Sequence, residues 1–248
     1  LCTDIMDREH TQLRLLEFAR DVNADLDRCG FPLCSGKIMA SNSALCLTLE
    51  EWEEKFAAWV RTPEPEALLN ATIFFDFRPL FGQFNLAERM RIALLRQTRG
   101  NPLFLRMLAA NALTVTPPLG MIRDFVTDED PEHPGCIDLK KYGSRLFIDA
   151  ARVFALGHDV SVTNTVQRLK QTGAAMNVSP EEVGAAIDAF NFIQLMRLRH
   201  QHAEQQQGRE GNNRVRPDDL NEVERRILKE SFRQARKLQQ RLKLDYQL

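Results

Sequence analysis

The sequence predicts a protein of the α+β class that is mostly α, with a short α/β piece over residues 1–84 and a helical bundle over residues 85–248. Three observations lead to this prediction. The stretch Ala71–Pro79, which reads ATIFFDFRP, alternates in the way a strand does. After it, apolar residues recur at helical spacing to the end of the chain. The sequence contains no internal repeat.

The predicted α/β piece begins with a helix over Glu9–Arg28, in which leucine and valine recur at helical spacing before a glycine and a proline stop the run. A short strand is predicted at Lys37–Ala40. Thr48 and Glu51 have the spacing of a capping box, which predicts that a helix begins there. The stretch Ala71–Pro79 is then the clearest predicted strand of the chain.

The predicted bundle consists of six helices, some of them marked by start or stop signals and the last by a core-facing apolar stripe. They are predicted at Leu86–Gln97, Pro102–Leu113, Ser144–Leu156, Asn164–Lys170, Ser179–Gln206 and Asp219–Leu242. A loop rich in proline, glycine and acidic residues is predicted over Thr114–Gly135, and a polar loop over Gly208–Arg216.

Composition narrows the class of protein. Of the 248 residues, 44% are hydrophobic and 27% are charged, which is ordinary for a soluble globular protein. The net charge of -1 gives no reason to expect a nucleic acid or a membrane as partner, and no apolar run approaches the roughly 20 residues that span a bilayer. Five irregularly spaced cysteines favour a reducing, cytoplasmic setting. Since the chain opens on Leu1, we expect it to be a piece of a longer protein.

Asp76 is the first candidate for chemistry, because a carboxylate between aromatic residues on a strand must be paired or must bind a cation. Arg78 lies two residues further on the same predicted face, so an ion pair between the two is one interpretation, and Arg78 is also a candidate for binding the nucleotide or substrate. The other makes Asp76 a magnesium ligand, or the base that takes a proton from an acceptor hydroxyl. A single carboxylate does not hold two metal ions, so this second interpretation requires partners.

A small turn is the second candidate. Ser35, Gly36 and Lys37, followed by Ser41 and Asn42, could approach phosphate groups through backbone N–H groups and a lysine. The stretch lacks the spacing of a Walker loop. An ordinary turn that leads into a strand is the alternative.

The long helix predicted at Ser179–Gln206 carries the third candidate. Gln194 and Arg197 continue one face of this helix in a stretch that is apolar nearly all round. Polar groups in such a position need partners, so they form either a structural hydrogen-bond network or a recognition site for an anionic or polar ligand.

Two of the predicted helices also carry a charged face. Arg145, Asp149 and Arg152 fall at i, i+4 and i+7, which predicts a charged ladder at an edge of the bundle or at an interface with the other domain. The last helix is net basic, and a solvated face is the default interpretation of its charges.

Several strings together resemble one family, the nucleotidyltransferases found in bacterial signalling proteins, which often also carry CBS or cyclic-nucleotide-binding domains. The strings that carry the resemblance span nearly the whole chain and are CGFPLCSGKIMASN, LLNATIFFDFRPLFG, IDLKKYGSRLFIDAARVFAL, FNFIQLMRLRHQ and ERRILKESFRQARKLQQRLKLDYQL. This family pairs a nucleotidyltransferase-fold domain, similar to that of the protein-PII uridylyltransferases, with a helical domain that binds substrate.

The resemblance implies transfer of a nucleotidyl group from a nucleoside triphosphate to an acceptor hydroxyl, which could belong to a protein, with Mg²⁺ as cofactor. It implies that residues 1–84 are the C-terminal part of a truncated nucleotidyltransferase-type α/β domain and that residues 85–248 are the substrate-binding bundle. Asp76 fits the family's third carboxylate. The family's Gly-Ser turn and paired aspartates are expected upstream of Leu1, so we expect this fragment to be inactive alone.

A second hypothesis makes the chain a non-catalytic module that senses nucleotides or docks proteins within a signalling protein. An RNA-associated helical bundle ranks last, because Arg197 and His200 have the wrong spacing for the nuclease motif of such bundles. Exposed apolar surface could also favour a homodimer.

Overall fold

The computed structural model describes residues 7–120, 124–127 and 130–248, and this part of the chain is mostly helical, as predicted. It separates into two compact units. The first consists of the described part of Leu1–Trp59 together with Phe77–Leu94, and the second of Val60–Asp76 together with Leu95–Leu248. The predicted boundary at residue 84 stays a prediction.

The described residues form nine α-helices, and none of these nine is both long enough and apolar enough to cross a membrane. The helices are α1 Arg8–Arg28, α2 Leu49–Arg61, α3 Pro65–Phe74, α4 Phe84–Arg99, α5 Pro102–Ala112, α6 Arg145–Gly157, α7 Thr165–Ala175, α8 Pro180–Gln206 and α9 Glu222–Asp245. The predicted first helix and all six predicted bundle helices are therefore confirmed, with ends that differ by a few residues.

In the first unit, local hydrogen bonds decide where the helices begin. The Asp7 carboxylate accepts from the backbone N–H of His10 at 3.0 Å and caps α1. The capping box predicted before α2 is confirmed. Thr48 Oγ1 accepts from the Glu51 N–H at 3.2 Å, and Glu51 Oε2 accepts from the Thr48 N–H at 2.8 Å.

Both strands predicted in the α/β piece are wrong. The predicted strand Ala71–Pro79 begins with the last four residues of α3 and continues as a turn and irregular chain, and Lys37–Ala40 is irregular and ends in a bend and a turn. The burial pattern of α3 is helical, since Ala67, Leu68 and Ala71 are buried and Phe75 follows one turn later. The alternation was misleading because both predicted faces carried aromatic residues, so it did not separate a core side from a solvent side.

In the second unit, α6 is the central element, and ten of its thirteen residues are buried. Helices α5, α7 and α9 pack against it, and α8 packs along α9. Ile193 of α8 and Phe232 of α9 are fully buried in the main core. The described parts of the predicted loop Thr114–Gly135 contain no helix; residues 121–123 and 128–129, like 1–6, lie outside the described residues.

A two-residue ladder and a tight turn lead into α6. Strand β1, Ile137–Asp138, pairs antiparallel with strand β2, Arg214–Val215. The Asp138 carboxylate then accepts the backbone N–H groups of Lys140 and Lys141 at 2.8 and 2.9 Å. The chain continues through a π-helical turn, Lys140–Ser144, directly into α6. This arrangement fixes Ser144 and Tyr142 beside α8 and α9, where the polar side chains of the bundle lie.

Candidate functional site

Asp76 follows the end of α3 and joins it to two other helices of the second unit. Its Oδ2 accepts from Arg152 Nη2 of α6 at 2.8 Å and from Arg152 Nε at 3.2 Å. Its Oδ1 forms an ion pair with Arg168 Nη2 of α7 at 2.7 Å. Both guanidinium groups are nearly inaccessible, with side chains 7% and 2% exposed. An ion pair is therefore present, but with these two arginines; Arg78 is exposed.

The predicted charged ladder continues this network. Arg152 Nη1 donates to Asp149 Oδ1 at 2.8 Å, and Arg145 Nε donates to Asp149 Oδ2 at 3.1 Å. The ladder exists as predicted, but its placement at an edge is wrong, because Asp149 and Arg152 are buried within the second unit. A buried chain of alternating charges holds α3, α6 and α7 together, since each charge depends on its neighbours for solvation.

The two arginines also decide the protonation of Asp76. Burial opposes its ionisation, but the hydrogen bonds and charge of Arg152, and then of Arg168, outweigh burial and lower the pKa of Asp76 below its usual 3.8. A carboxylate with a depressed pKa is a weak general base at neutral pH.

Asp76 and its surroundings do not fit a magnesium ion. Mg²⁺ prefers an octahedral set of oxygen ligands, whereas both carboxylate oxygens of Asp76 already face guanidinium groups. Two positive charges at this distance would repel a divalent cation. Within residues 7–120, 124–127 and 130–248, no group of three or more His, Cys, Asp or Glu side chains could hold a metal ion. The catalytic and metal-binding roles of Asp76 stay predictions.

We expect the network to make folding stability sensitive to acid. The pKa of Asp76 is lower in the folded state, so its contribution is fully present above its usual pKa of 3.8 and is lost as the pH falls through the folded value. The Asp76→Asn variant has no proton to gain at this position. The difference in unfolding free energy between wild type and variant, measured by urea denaturation, should therefore shrink from about pH 5 to about pH 2. A constant difference would contradict the assignment.

The predicted phosphate-binding turn lies in the first unit. Ser35, Gly36 and Lys37 are exposed, and the Lys37 N–H closes the turn on the Cys34 carbonyl at 2.9 Å. Lys37 itself has a φ of 55°, a left-handed conformation that disfavours a side chain. Gly36 has ordinary backbone angles, so the structure does not require a glycine there.

Ser41 and Asn42 make hydrogen bonds within this same unit. Ser41 Oγ accepts from Asn23 Nδ2 of α1 at 2.8 Å. Asn42 donates from Nδ2 to the Lys37 carbonyl at 3.0 Å, and its Oδ1 accepts from the Ala44 N–H at 3.0 Å. These contacts fold the connection onto α1, which is the structural role of an ordinary turn; phosphate binding here stays a prediction.

Gln194 and Arg197 do come together, at the end of the π-helical turn. Arg197 Nη1 donates to Gln194 Oε1 at 2.6 Å and to Ser144 Oγ at 3.0 Å. Arg197 Nε donates to Asn213 Oδ1 at 2.9 Å. All three partners are neutral, and partial burial lowers the pKa of Arg197 while the charge of Asp138 opposes that shift.

The structure contains the first of the two alternatives left open by the sequence, the structural hydrogen-bond network, and ligand recognition stays a prediction. Arg197 forms a structural network that ties α8 to Ser144 and to the loop before β2. Its Nη2 makes no hydrogen bond within the described part of the chain, so that edge of the guanidinium can still donate. The partners Ser144 and Asn213 were missed by sequence reasoning, because they lie 53 and 16 residues away from Arg197.

Comparison with known proteins gives two matches. Residues 102–246 match the family described as "Putative nucleotidyltransferase substrate binding domain", and residues 2–66 match the one described as "Putative nucleotidyltransferase DUF294". No curated protein and no solved structure matches the chain. The first match covers more than half of the 248 residues and contains the whole of α5 to α9. The chain therefore belongs to the nucleotidyltransferase family defined by this substrate-binding domain.

Proposed function

We propose that this chain serves nucleotidyl transfer from a nucleoside triphosphate to an acceptor hydroxyl. Its second unit, called the helical unit below, would bind a substrate. The observation that carries the proposal is the order of the two family matches, both of which name a nucleotidyltransferase, along one chain. The first match assigns substrate binding to the stretch that contains α5 to α9. Residues 1–84 would then be the C-terminal part of a nucleotidyltransferase-like domain.

The reaction we propose forms one bond and breaks one. The oxygen of the acceptor hydroxyl attacks the α-phosphorus of the triphosphate and forms a phosphoester bond. The bond between the α-phosphorus and its bridging oxygen breaks, and pyrophosphate leaves with the electron pair. The hydroxyl proton passes to a base. A protein side chain is one candidate acceptor, which would place the reaction in bacterial signal transduction, and Mg²⁺ would neutralise the phosphates.

Within this proposal, the geometry supports a structural role for Asp76 and a substrate-binding role for Arg197. Because Arg152 and Arg168 occupy both carboxylate oxygens, Asp76 serves here as an anchor of the helical unit. Arg197, with its partly available guanidinium, is better suited to an anionic substrate group. The chain alone would then bind nucleotide and would not turn it over.

The same geometry favours a second candidate function, a module that senses nucleotides or docks proteins without catalysis. In that case the natural protein, like this chain, would bind without turnover. The two candidates differ in one product, which is pyrophosphate.

The test is a pyrophosphate-release assay on the full natural protein, with Mg²⁺, each of the four common nucleoside triphosphates and candidate acceptor proteins. We expect release that depends on both nucleotide and acceptor, and no release from the 248-residue chain alone. Calorimetry on the chain should show saturable nucleotide binding. Saturable binding with no release by the full protein would establish the sensing module, and an absence of both would refute each proposal.

A further inference from the structure

A cavity of about 500 Å³ lies in the helical unit between α9 and the loop that follows α5. One side is apolar and includes Leu119, Ile137 and Tyr142. The other side is formed by Arg236, Gln240 and Lys243, which recur at i, i+4 and i+7 and therefore share one face of α9. Its volume falls within the range of about 300 to 1,000 Å³ that is typical of small-molecule sites.

The charge of this cavity is positive. Arg236 and Lys243 line it, and its described lining contains no carboxylate. Arg236 makes one hydrogen bond within the described part of the chain, from Nη2 to the Leu119 carbonyl at 3.5 Å, which is long and weak. Lys243 forms no ion pair with a described residue.

Four other cations of the same helix form ion pairs, whereas Arg226 and Lys237, which line no part of this cavity, form none with a described residue. Arg225 and Lys229 both pair with Asp124, Arg233 pairs with Glu230, and Arg241 pairs with Asp245. Being unpaired therefore does not by itself distinguish the two cations that face the cavity. What they share is one cavity whose described lining contains no carboxylate, so a bound anion would supply their counter-charge.

The walls of the cavity are held in place. Gln239, which is buried beside Arg236 and Gln240, donates from Nε2 to the Val115 carbonyl at 2.7 Å and to the Ala112 carbonyl at 3.3 Å. These bonds fix the start of the loop against α9. On the apolar side, Lys141 Nζ lies 4.6 Å from the centroid of the Tyr142 ring and brings a third cation to this end of the unit. The site is thus largely formed before any ligand binds.

We propose that this cavity binds a nucleoside phosphate, with Arg236 and Lys243 on the phosphate groups and the nucleoside rings against Leu119, Ile137 and Tyr142. An apolar wall opposite two cations matches a ligand that has one flat, weakly polar end and one anionic end. The proposal rests on the proposed function for the idea that this ligand is a substrate. The binding itself follows from the cavity alone.

The experiment is isothermal calorimetry on the 248-residue chain with ATP, GTP, CTP and UTP, and with inorganic triphosphate as the ring-free probe. We expect at least one nucleotide to bind, and the Arg236→Gln/Lys243→Gln double variant to bind about a hundredfold more weakly, at about tenfold for each lost charged contact. Arg236→Lys with Lys243→Arg should retain most of the affinity. Because both positions are exposed, the circular-dichroism spectrum and melting temperature should not change.

One control makes the result specific. Arg226→Gln removes an exposed cation of α9 that lines none of the cavities described for this unit, and should leave binding unchanged. Wild-type affinity in the double variant, or an equal loss of affinity in Arg226→Gln, would overturn the proposal. So would inorganic triphosphate that binds as tightly as the nucleotides.

The outcomes separate this inference from the proposed function. Nucleotide binding that depends on Arg236 and Lys243, without pyrophosphate release by the full natural protein, supports the cavity and refutes the transfer reaction. Pyrophosphate release that is unaffected by the double variant supports the reaction and refutes the cavity as its substrate site.

Discussion

Replacing Asp76 with alanine should lower the free energy of unfolding by about 3 kcal/mol, which is the lower end of the loss expected when one partner of a buried ion pair is removed. Arg168 would lose its carboxylate partner and keep a hydrogen bond from Nε to the Val162 carbonyl at 2.8 Å. Arg152 would keep its hydrogen bond to Asp149, so it would lose only part of its pairing. Urea denaturation followed by circular dichroism measures the change, because it reports on the helices that this network joins.

The matched control is Arg78→Ala, which removes the exposed arginine two residues away and should change stability by less than about 0.5 kcal/mol. Asp76→Asn should lie between wild type and Asp76→Ala, since the amide oxygen can still accept one hydrogen bond. An Asp76→Ala variant as stable as wild type would show that the network does not hold α3, α6 and α7 together. Such a result would favour the predicted catalytic role of Asp76 over the structural one.

This prediction also governs how activity data are interpreted. If Asp76→Ala unfolds the helical unit, its loss of activity carries no information about catalysis. The informative variant is Asp76→Asn at neutral pH, provided that its urea midpoint is known. A folded Asp76→Asn protein with wild-type turnover would remove Asp76 from the catalytic residues, and one with no turnover would keep it there.

Most of the helices were predictable from the sequence because the evidence for them is local. The capping box at Thr48 and Glu51 and the N-cap at Ser179 are formed by residues three positions apart. The apolar stripe of α9 repeats over many turns, and its buried members, such as Leu228, Phe232 and Leu242, follow the helical period. Signals of this kind do not depend on the rest of the fold.

The environment of Asp76 could be predicted only in part. The aromatic neighbours of the carboxylate correctly indicated that it must be paired. The identity of the partners could not be predicted, because Arg152 is 76 residues away and the contact exists only once α3 and α6 pack. Arg78 was closer in sequence, but its predicted position on one face with Asp76 assumed a strand, and the chain is helical up to Phe74.

The cationic cavity was missed for a different reason. The basic residues of α9 were interpreted as a solvated face, and Arg233, Arg236, Arg241 and Lys243 are indeed exposed. What this interpretation did not include is that Arg236 and Lys243 also line a cavity beside the irregular loop after α5. Loop conformation follows from tertiary hydrogen bonds such as those of Gln239, and no periodic pattern encodes it.

Gly143 gives the second large effect, because it lies in the π-helical turn at a close approach to α8. A Cβ atom at this position would lie 2.9 Å from Ile193 Cγ2 and 3.7 Å from Phe232 Cε1, and both side chains are fully buried. Gly143→Val should therefore cost about 3 kcal/mol, at the upper end of the usual cost of overpacking a core. Thermal and urea unfolding followed by circular dichroism measure this change.

Three further variants identify the cause of that loss. Ile193→Ala alone should destabilise by about 2 to 5 kcal/mol through the space that it leaves. The double variant Gly143→Val/Ile193→Ala should be about as stable as Ile193→Ala alone, because the valine fills that space and the two effects are not additive. Gly184→Val on α8, where no atom lies within 4 Å of an added Cβ, should stay within about 0.5 kcal/mol of wild type. If the losses of the two single variants simply add, the close approach of Gly143 and Ile193 is not what makes this glycine necessary, and the constraint lies in the backbone of the π-helical turn itself.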